Sequence, residues 1–306
     1  MFEKVVIITR KTRLAELVER FNTVGQARFY IEHSGGDFRE YEQEDLVYRQ
    51  AMDITRRSLP TDMKVQFLDR ALAPTVLFTE QDLIITLGQD GIVANTAKYV
   101  KGQPIIAVNP DAARFDGILL PFLPSQLREV IPAVMAGKAH TREVTMAEAR
   151  LNDGQRMLAF NDLFIGASSH VSARYMLTLQ GKSEQQSSSG ILVSTGAGST
   201  GWISSAFNMA GGIAAALGGR CPEPVTMSWE DPRLFFITRE PFISRHSTAD
   251  LVAGWVADGQ ELLLESNMPT GGCIFSDGIQ ADSVEFNAGA VVHVRRAAEK
   301  AVLISA

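Results

Sequence analysis

The chain opens on an apolar, β-branched run, Lys4 to Thr9, with no alternation, the pattern of a strand buried on both faces of a parallel sheet. Apolar residues at Leu14, Leu17, Val18 and Phe21 then predict a helix over Thr12 to Phe21. The spacing returns at Leu46, Val47, Ala51 and Ile54, predicting a helix over Gln43 to Arg57 that ends before Pro60. Lys64 to Leu68 and Pro74 to Phe78 read as strands. Asp82 to Leu87 reads as another buried strand, running straight into Gly88-Gln89-Asp90-Gly91, with a helix over Ile92 to Tyr99 behind it. Gln103 to Asn109 is the next strand, and Ser125 to Met135 a helix with Ser125 as its N-cap.

Strands alternating with helices imply a parallel α/β sheet with right-handed crossovers over residues 1–138. The pattern changes past Gly137-Lys138-Ala139-His140. Short β-type runs follow at 142–147, 156–160, 171–179, 190–195, 234–237, 251–255, 261–265, 272–275, 291–294 and 301–304. Turn pairs separate them, notably Asp258-Gly259, Gly271-Gly272 and Asp277-Gly278. One helical stretch interrupts them after Ser199, through Trp202, Phe207 and Leu217. The expected fold is therefore an N-terminal parallel-sheet α/β domain, 1–138, followed by a β-rich domain, 139–306, whose last strand can return to the first.

Composition narrows the function classes. The 306 residues are 45% hydrophobic and 21% charged, ample apolar material for a core, at a length that suits two domains or one large one. A net charge of -6 argues against a nucleic-acid partner, which needs a basic face. The two cysteines, Cys221 and Cys273, lie in no metal-type spacing and read as free buried thiols, and so few cysteines fit a reducing compartment. The apolar run Val5 to Ile8 is too short for a signal-peptide core, and no stretch approaches the roughly 20 apolar residues of a membrane span. A cytoplasmic protein with no membrane partner is expected. The five histidines show no HxxxH spacing and read as structural, with His246 the best candidate for a substrate neighbour.

The most informative local feature is Leu83 to Ala97: a strand, a glycine-flanked aspartate, then a helix. Glycines at a strand end let the backbone turn and approach a ligand, and a helix N-terminus aims N–H groups at an anion. Asp90 at that mouth could accept a proton from an attacking hydroxyl, help hold Mg²⁺, or simply cap a turn. The loop is neither a P-loop nor GxGxxG. A second loop spans Gly190 to Ala206, where a β run leads into Gly196, Gly198 and Gly201 among small hydroxyl residues, and then into a helix. Such a loop can bring N–H and hydroxyl groups to phosphate or ribose. Asn161-Asp162, at the end of the run Met157 to Phe160, is a polar pair able to meet ribose hydroxyls or an adenine edge, or else a turn.

Taken in this order, the pieces resemble the NAD kinase family, which shares its N-terminal half with diacylglycerol and sphingosine kinases. The family's Gly-Gly-Asp-Gly appears as Gly88-Gln89-Asp90-Gly91, its Asn-Glu as Asn161-Asp162, and its Gly-Ser-Thr loop as Ser194 to Trp202. Ile106 to Asp111, Ser189-Gly190, Arg239 to Phe242, Ser276 to Gly278 and Val284 to Asn287 resemble the mitochondrial-type branch most.

The resemblance implies a kinase that phosphorylates the adenosine 2′-hydroxyl of NAD to give NADP, with ATP as donor, Mg²⁺ as cofactor and a homo-oligomeric state, a homodimer or tetramer. Asp90 would be the catalytic base and a metal ligand. Gly88, Gln89 and Gly91, with Lys11 and Arg13 (and Arg10 beside them), would hold donor phosphates. Asn161, Asp162, Ser199, Thr200, Gly201, Trp202 and Ser205 would hold the dinucleotide, Trp202 standing where the family usually has tyrosine. Gln89 replaces a glycine, which predicts an obstructed phosphate approach or a positive φ at 89. A dinucleotide-binding regulator without catalysis is the alternative. A lipid kinase fits less well, since no basic amphipathic helix is evident.

Overall fold

The computed structural model describes residues 2–305. They form two compact units, 2–142 with 302–305, and 143–301.

In the first unit, β1 (Lys4–Thr9) is followed by helices α1 (Arg13–Phe21), α2 (Val24–His33) and α3 (Arg39–Ser58), then β2 (Lys64–Asp69), β3 (Asp82–Leu87), α4 (Asp90–Ala97), β4 (Pro104–Val108) and α5 (Leu127–Met135). The strands run parallel in the order β2-β1-β3-β4, and Val302 and Leu303 pair in parallel with Pro104 and Ile105 beyond β4. All six residues of β3 are buried. Val5, Ile7, Ile85 and Ile106 on one face pack with Tyr48 and Ala51 of α3 and with Leu127 and Ile131 of α5. This two-sided burial explains why β1, β3 and β4 lack alternation.

Several expectations for this unit are corrected. Pro74 to Phe78 is not a strand: a 3₁₀ turn occupies Arg70–Thr75, capped by the Asp69 side chain, and the chain then runs on irregularly. The helix α2 has no apolar stripe to announce it, since Ala27 and Ile31 are buried while Val24, Phe29 and Tyr30 are exposed. The α4 helix begins at Asp90 rather than Ile92. Ser125 is not a cap; it lies inside a 3₁₀ turn, Pro124–Gln126, that precedes α5.

The second unit holds β5 (Thr141–Leu151), β6 (Arg156–Ala159), β7 (Asp162–Ala167), β8 (Ala173–Leu179), β9 (Lys182–Ser188), β10 (Ile191–Ser194), α6 (Trp202–Ala216), β11 (Leu234–Thr238), β12 (Ala253–Val256), β13 (Leu262–Ser266), β14 (Gly272–Ser276), β15 (Ile279–Glu285) and β16 (Val291–Ile304). One antiparallel sheet has the order β12-β11-β10-β7-β14-β15. The other carries β16-β13-β8-β9, with β5 beside β16 and β6 beside β5. Leu163, Ile165, Val193 and Phe236 of the first sheet pack with Tyr175, Leu177, Leu264 and Val292 of the second. The opposite face of the first sheet is covered by α6: Phe164, Leu192, Phe235 and Cys273 cluster with Ile203, Trp202 and Phe207.

Two features of this unit escape a hydrophobicity reading. Strand β9, KSEQQSS, turns polar side chains inward: Gln186 donates to Glu184 and to Leu251 O and accepts from Thr238, while Ser188 bonds the Tyr175 hydroxyl at 2.6 Å. Residues 291–304 form one strand rather than two, because the charges in its middle pair sideways, Arg295 with Glu148 and Lys300 with Glu143. Cys273 is buried, but Cys221 is exposed, so the thiols are free without both being buried.

Candidate active site

The first unit builds its candidate site at the carboxyl ends of its parallel strands, where open α/β sheets collect ligands. Residue 88 follows β3 directly, and its N–H donates to Val108 O at the end of β4. Gln89 then caps α4 with φ -93° and ψ 170°, an extended backbone open to any residue, and its side chain is exposed. The expected positive φ at 89 is not found, and neither Gly88 nor Gly91 has one. Gln89 therefore sits in the loop without strain.

Asp90 is the first residue of α4 and half-buried. Its Oδ1 accepts the Leu119 N–H at 2.7 Å. Leu119 belongs to a loop folded back after β4, in which Asn109 takes the Asp111 N–H and donates to Phe115 O. The carboxylate is thus oriented by a backbone donor, and the helix N-terminus behind it favours negative charge.

Beside it lies a cavity of about 330 Å³ lined by Arg10, Lys11, Arg13, Arg70, Gln89 and Arg114, with Glu16 and Glu44 as its acids. Glu44, buried on α3, organises the arginines: it accepts from Arg10 at 3.0 Å and Arg13 at 2.5 Å, with Arg114 at 3.5 Å. Burial works against its ionisation, but the bonds from Arg13 and Arg10 outweigh it and hold the carboxyl below its ordinary range. The Arg10 side chain is only 9% exposed, and its Nε is buried without a partner. Lys11 lines the cavity while making an exposed pair with Glu19 at 2.6 Å. Arg70 and Arg114 also reach this cavity. They arrive from the ends of β2 and β4, and no local motif marks them.

The second unit brings Asn161, Asp162 and the Ser194 to Ser205 loop together. Thr195 Oγ1 donates to Phe160 O at 2.6 Å, and the Thr195 N–H to Asn161 O at 2.9 Å. Gly196 and Gly198 serve close packing of the chain on itself: a Cβ at 196 would lie 1.7 Å from Ser228 O, and at 198, 2.1 Å from Asn161 O. Ser199 is buried, its hydroxyl donating to Gly196 O and accepting the Met227 N–H, so it braces the loop from inside. Thr200, Gly201 and Ser205 are exposed.

Trp202 starts α6, half-buried. Its ring stacks on Phe164 at 5.8 Å and 10°, and the Arg239 guanidinium lies 5.3 Å from its centroid. Together with Ser205, Phe207, Ile237 and Arg239 it lines an apolar cavity of about 420 Å³. Asp162 opens β7 and is buried. Burial first, and the negative charge of Asp277 second, push its carboxyl up to about 7. His246 is exposed and lines a separate polar cavity of about 680 Å³ with Arg174 and Ser244.

No cluster of three or more histidine, cysteine or acidic side chains that could hold a metal ion occurs among the described residues. A magnesium ion needs no such cluster, since it is commonly held by one or two carboxylates, water and substrate phosphates. Asp90 fits that limited role. No helix of the described residues is long and apolar enough to cross a membrane.

No family profile matches the chain. Among individual proteins, the NAD kinase of Burkholderia pseudomallei (strain K96243) is 30% identical over 138 residues, and that of Paraburkholderia phymatum is 31% identical over 138 residues. Each match covers 42% of this chain and 45% of the relative, so it spans less than half of either protein. Of solved structures, yeast NADH kinase complexed with NADH superposes over 100% of this chain and 84% of its own, with a TM-score of 0.54 at 17% identity. The NAD kinase of Archaeoglobus fulgidus in complex with ATP superposes over 98% and 93%, with a TM-score of 0.53 at 17% identity. The architecture, an α/β unit followed by a β-rich one, is the fold of these kinases. Over the matched 138 residues the sequence is similar to NAD kinases, the fold is that of the two kinase structures, and neither similarity singles out a mitochondrial-type branch.

Proposed function

We propose that this chain is an NAD kinase, transferring a phosphoryl group from ATP to the adenosine 2′-hydroxyl of NAD to form NADP. The observation that carries the reading is Asp90: a half-buried carboxylate at the start of α4, oriented by the Leu119 N–H and adjacent in sequence to a residue lining an arginine-rich cavity. Phosphoryl transfer asks the protein mainly for alignment and charge neutralisation. Arg10, Arg13 and Arg114, held by Glu44, supply positive charge for donor phosphates, and the first-turn N–H groups of α4 add the positive end of a helix. Gly88, Gln89, Gly91 and Lys11 belong to the same donor site. When Mg²⁺ accompanies the donor it neutralises phosphate charge, and Asp90 is the residue that would help hold it.

The dinucleotide falls to the second unit, with Asn161 and Asp162 for the adenosine and the loop through Ser199, Thr200, Gly201, Trp202 and Ser205 beside them. Asp90 takes the proton of the 2′-hydroxyl as the hydroxyl oxygen attacks the γ-phosphorus of ATP, whose bond to the bridging oxygen breaks and releases ADP. A mitochondrial-type ancestry, a homo-oligomer and a cytoplasmic location belong to the same reading.

A coupled assay for NADP formation, run with ATP, other nucleoside triphosphates and polyphosphate, tests it. NADP formed with at least one donor is the expected result. Tight binding of NAD or NADP without turnover would make the chain a dinucleotide-binding regulator instead.

A further inference from the structure

Asp277 carries no role in the reaction as read so far, yet it is the residue most engaged with the Asn161-Asp162 segment. It follows β14 at the tip of a turn in which Asp277 has φ 53° and Gly278 φ 72°, the two left-handed positions of a type I′ hairpin. From there its carboxylate accepts backbone N–H groups of three successive residues: Phe160 at 3.0 Å, Asn161 at 2.6 Å and Asp162 at 3.3 Å. Its own N–H donates to Asp162 O at 3.0 Å.

From the other side, Thr195 binds the carbonyls of Phe160 and Asn161, and Gly198 lets its loop close against Asn161 O. The backbone of 160–162 is thus fixed through its donors by one strand turn and through its acceptors by another. Among the described residues, the Asn161 side-chain amide takes no part in this network.

We propose that Asp277 is a positioning residue for dinucleotide binding: its carboxylate locks the peptide planes of Phe160 to Asp162 so that the Asn161 amide is presented, preorganised, to the adenosine of the substrate. The inference rests on the proposed dinucleotide role of Asn161 and Asp162. Charge-assisted bonds to backbone donors are among the stronger hydrogen bonds, and fixing a binding segment in advance removes the cost of ordering it on association. Since Asp277 does not itself contact substrate in this scheme, it acts on binding and leaves donor handling alone.

Two substitutions separate the carboxylate from the turn. Asp277→Gly keeps the left-handed backbone and removes the carboxylate, while Asp277→Asn tolerates the same backbone and keeps one acceptor oxygen. Calorimetry with NAD and NADP, the KM for ATP, and amide hydrogen exchange at residues 160–162 are the readouts. For Asp277→Gly, dinucleotide affinity should fall about tenfold or more, as losing charge-assisted bonds implies. The KM for ATP should stay unchanged, exchange at 160–162 should accelerate, and Asp277→Asn, which keeps an acceptor for Asn161 and Asp162 but sets an amide NH2 against the Phe160 N–H, should recover only part of the loss. Should Asp277→Gly fail to fold, Thr195→Val, which releases the same segment from its carbonyl side, should give the same pattern. Wild-type dinucleotide affinity in Asp277→Gly, or unchanged exchange at those amides, would overturn the inference. If the wild-type chain binds neither NAD nor NADP, the functional reading falls, and the exchange experiment still decides whether Asp277 fixes the segment.

Discussion

Asp90 Oδ1 accepts the backbone N–H of Leu119 at 2.7 Å, across 29 residues of chain. This bond ties the first residue of α4 to the loop after β4. Asparagine can make the same bond through its amide oxygen, so charge and geometry separate experimentally. Asp90→Asn should keep the Tm of the wild type, whereas Asp90→Ala, which leaves the Leu119 N–H without its acceptor, should cost about 1–3 kcal/mol. Thermal unfolding of the two variants checks this.

Gln89 occupies an extended backbone conformation that glycine is not needed for. Replacing it by glycine should therefore relieve no strain. Asp90 apart, the loop should lose about 0.4–1 kcal/mol of stability through the added freedom of the unfolded chain. A large gain in Tm for Gln89→Gly would show that the side chain strains the loop after all.

Glu44 is the anion around which Arg10, Arg13 and Arg114 gather. Glu44→Gln should destabilise the first unit by roughly 3 kcal/mol at neutral pH, since breaking a buried pair leaves uncompensated charge. The Glu44 carboxyl is held below its ordinary range, so its contribution is present above the unfolded pKa and is lost as the pH falls through the lowered one. Denaturant titrations at neutral and acid pH should show the gap between wild type and variant closing on the acid side.

The sign is opposite at Asp162. Its carboxyl is pushed up to about 7, so the folded chain binds a proton there more tightly than the unfolded chain. Stability then declines as the pH rises from the ordinary carboxylate range to about 7, and levels off above it. Asp162→Asn removes this penalty. The Tm advantage of the variant over wild type should grow between pH 5 and pH 8, and an advantage independent of pH would refute the assignment.

The fold class was legible because buried parallel strands write themselves as unbroken β-branched runs, as at Val5 to Ile8 and Leu83 to Ile85. What was not legible depends on partners distant in sequence. Strand β9 buries Glu184 and Gln186, and their inward direction makes sense only once Thr238 and the Leu251 backbone are beside them. The α2 helix shows little of its own stripe because Phe29 and Tyr30 stay exposed.

The candidate sites divide the same way. The 88–91 and 194–202 loops are local patterns, visible in a short window of sequence. Arg70, Arg114 and Asp277 join them only through the sheets, from turns that look ordinary in isolation. Gly196 and Gly198 were legible as loop glycines, but the reason for them is the approach of Ser228 O and Asn161 O, which no window of sequence displays.

The central claim is phosphoryl transfer to NAD with Asp90 as base, and NADP formation by the wild-type chain and by Asp90→Asn, side by side, tests it most directly. The expected result is NADP from the wild type and a kcat about 10²–10⁴-fold lower in the variant at an unchanged Tm, the usual loss for a general base. Wild-type turnover in Asp90→Asn, or no NADP from the wild type with any donor, would contradict it.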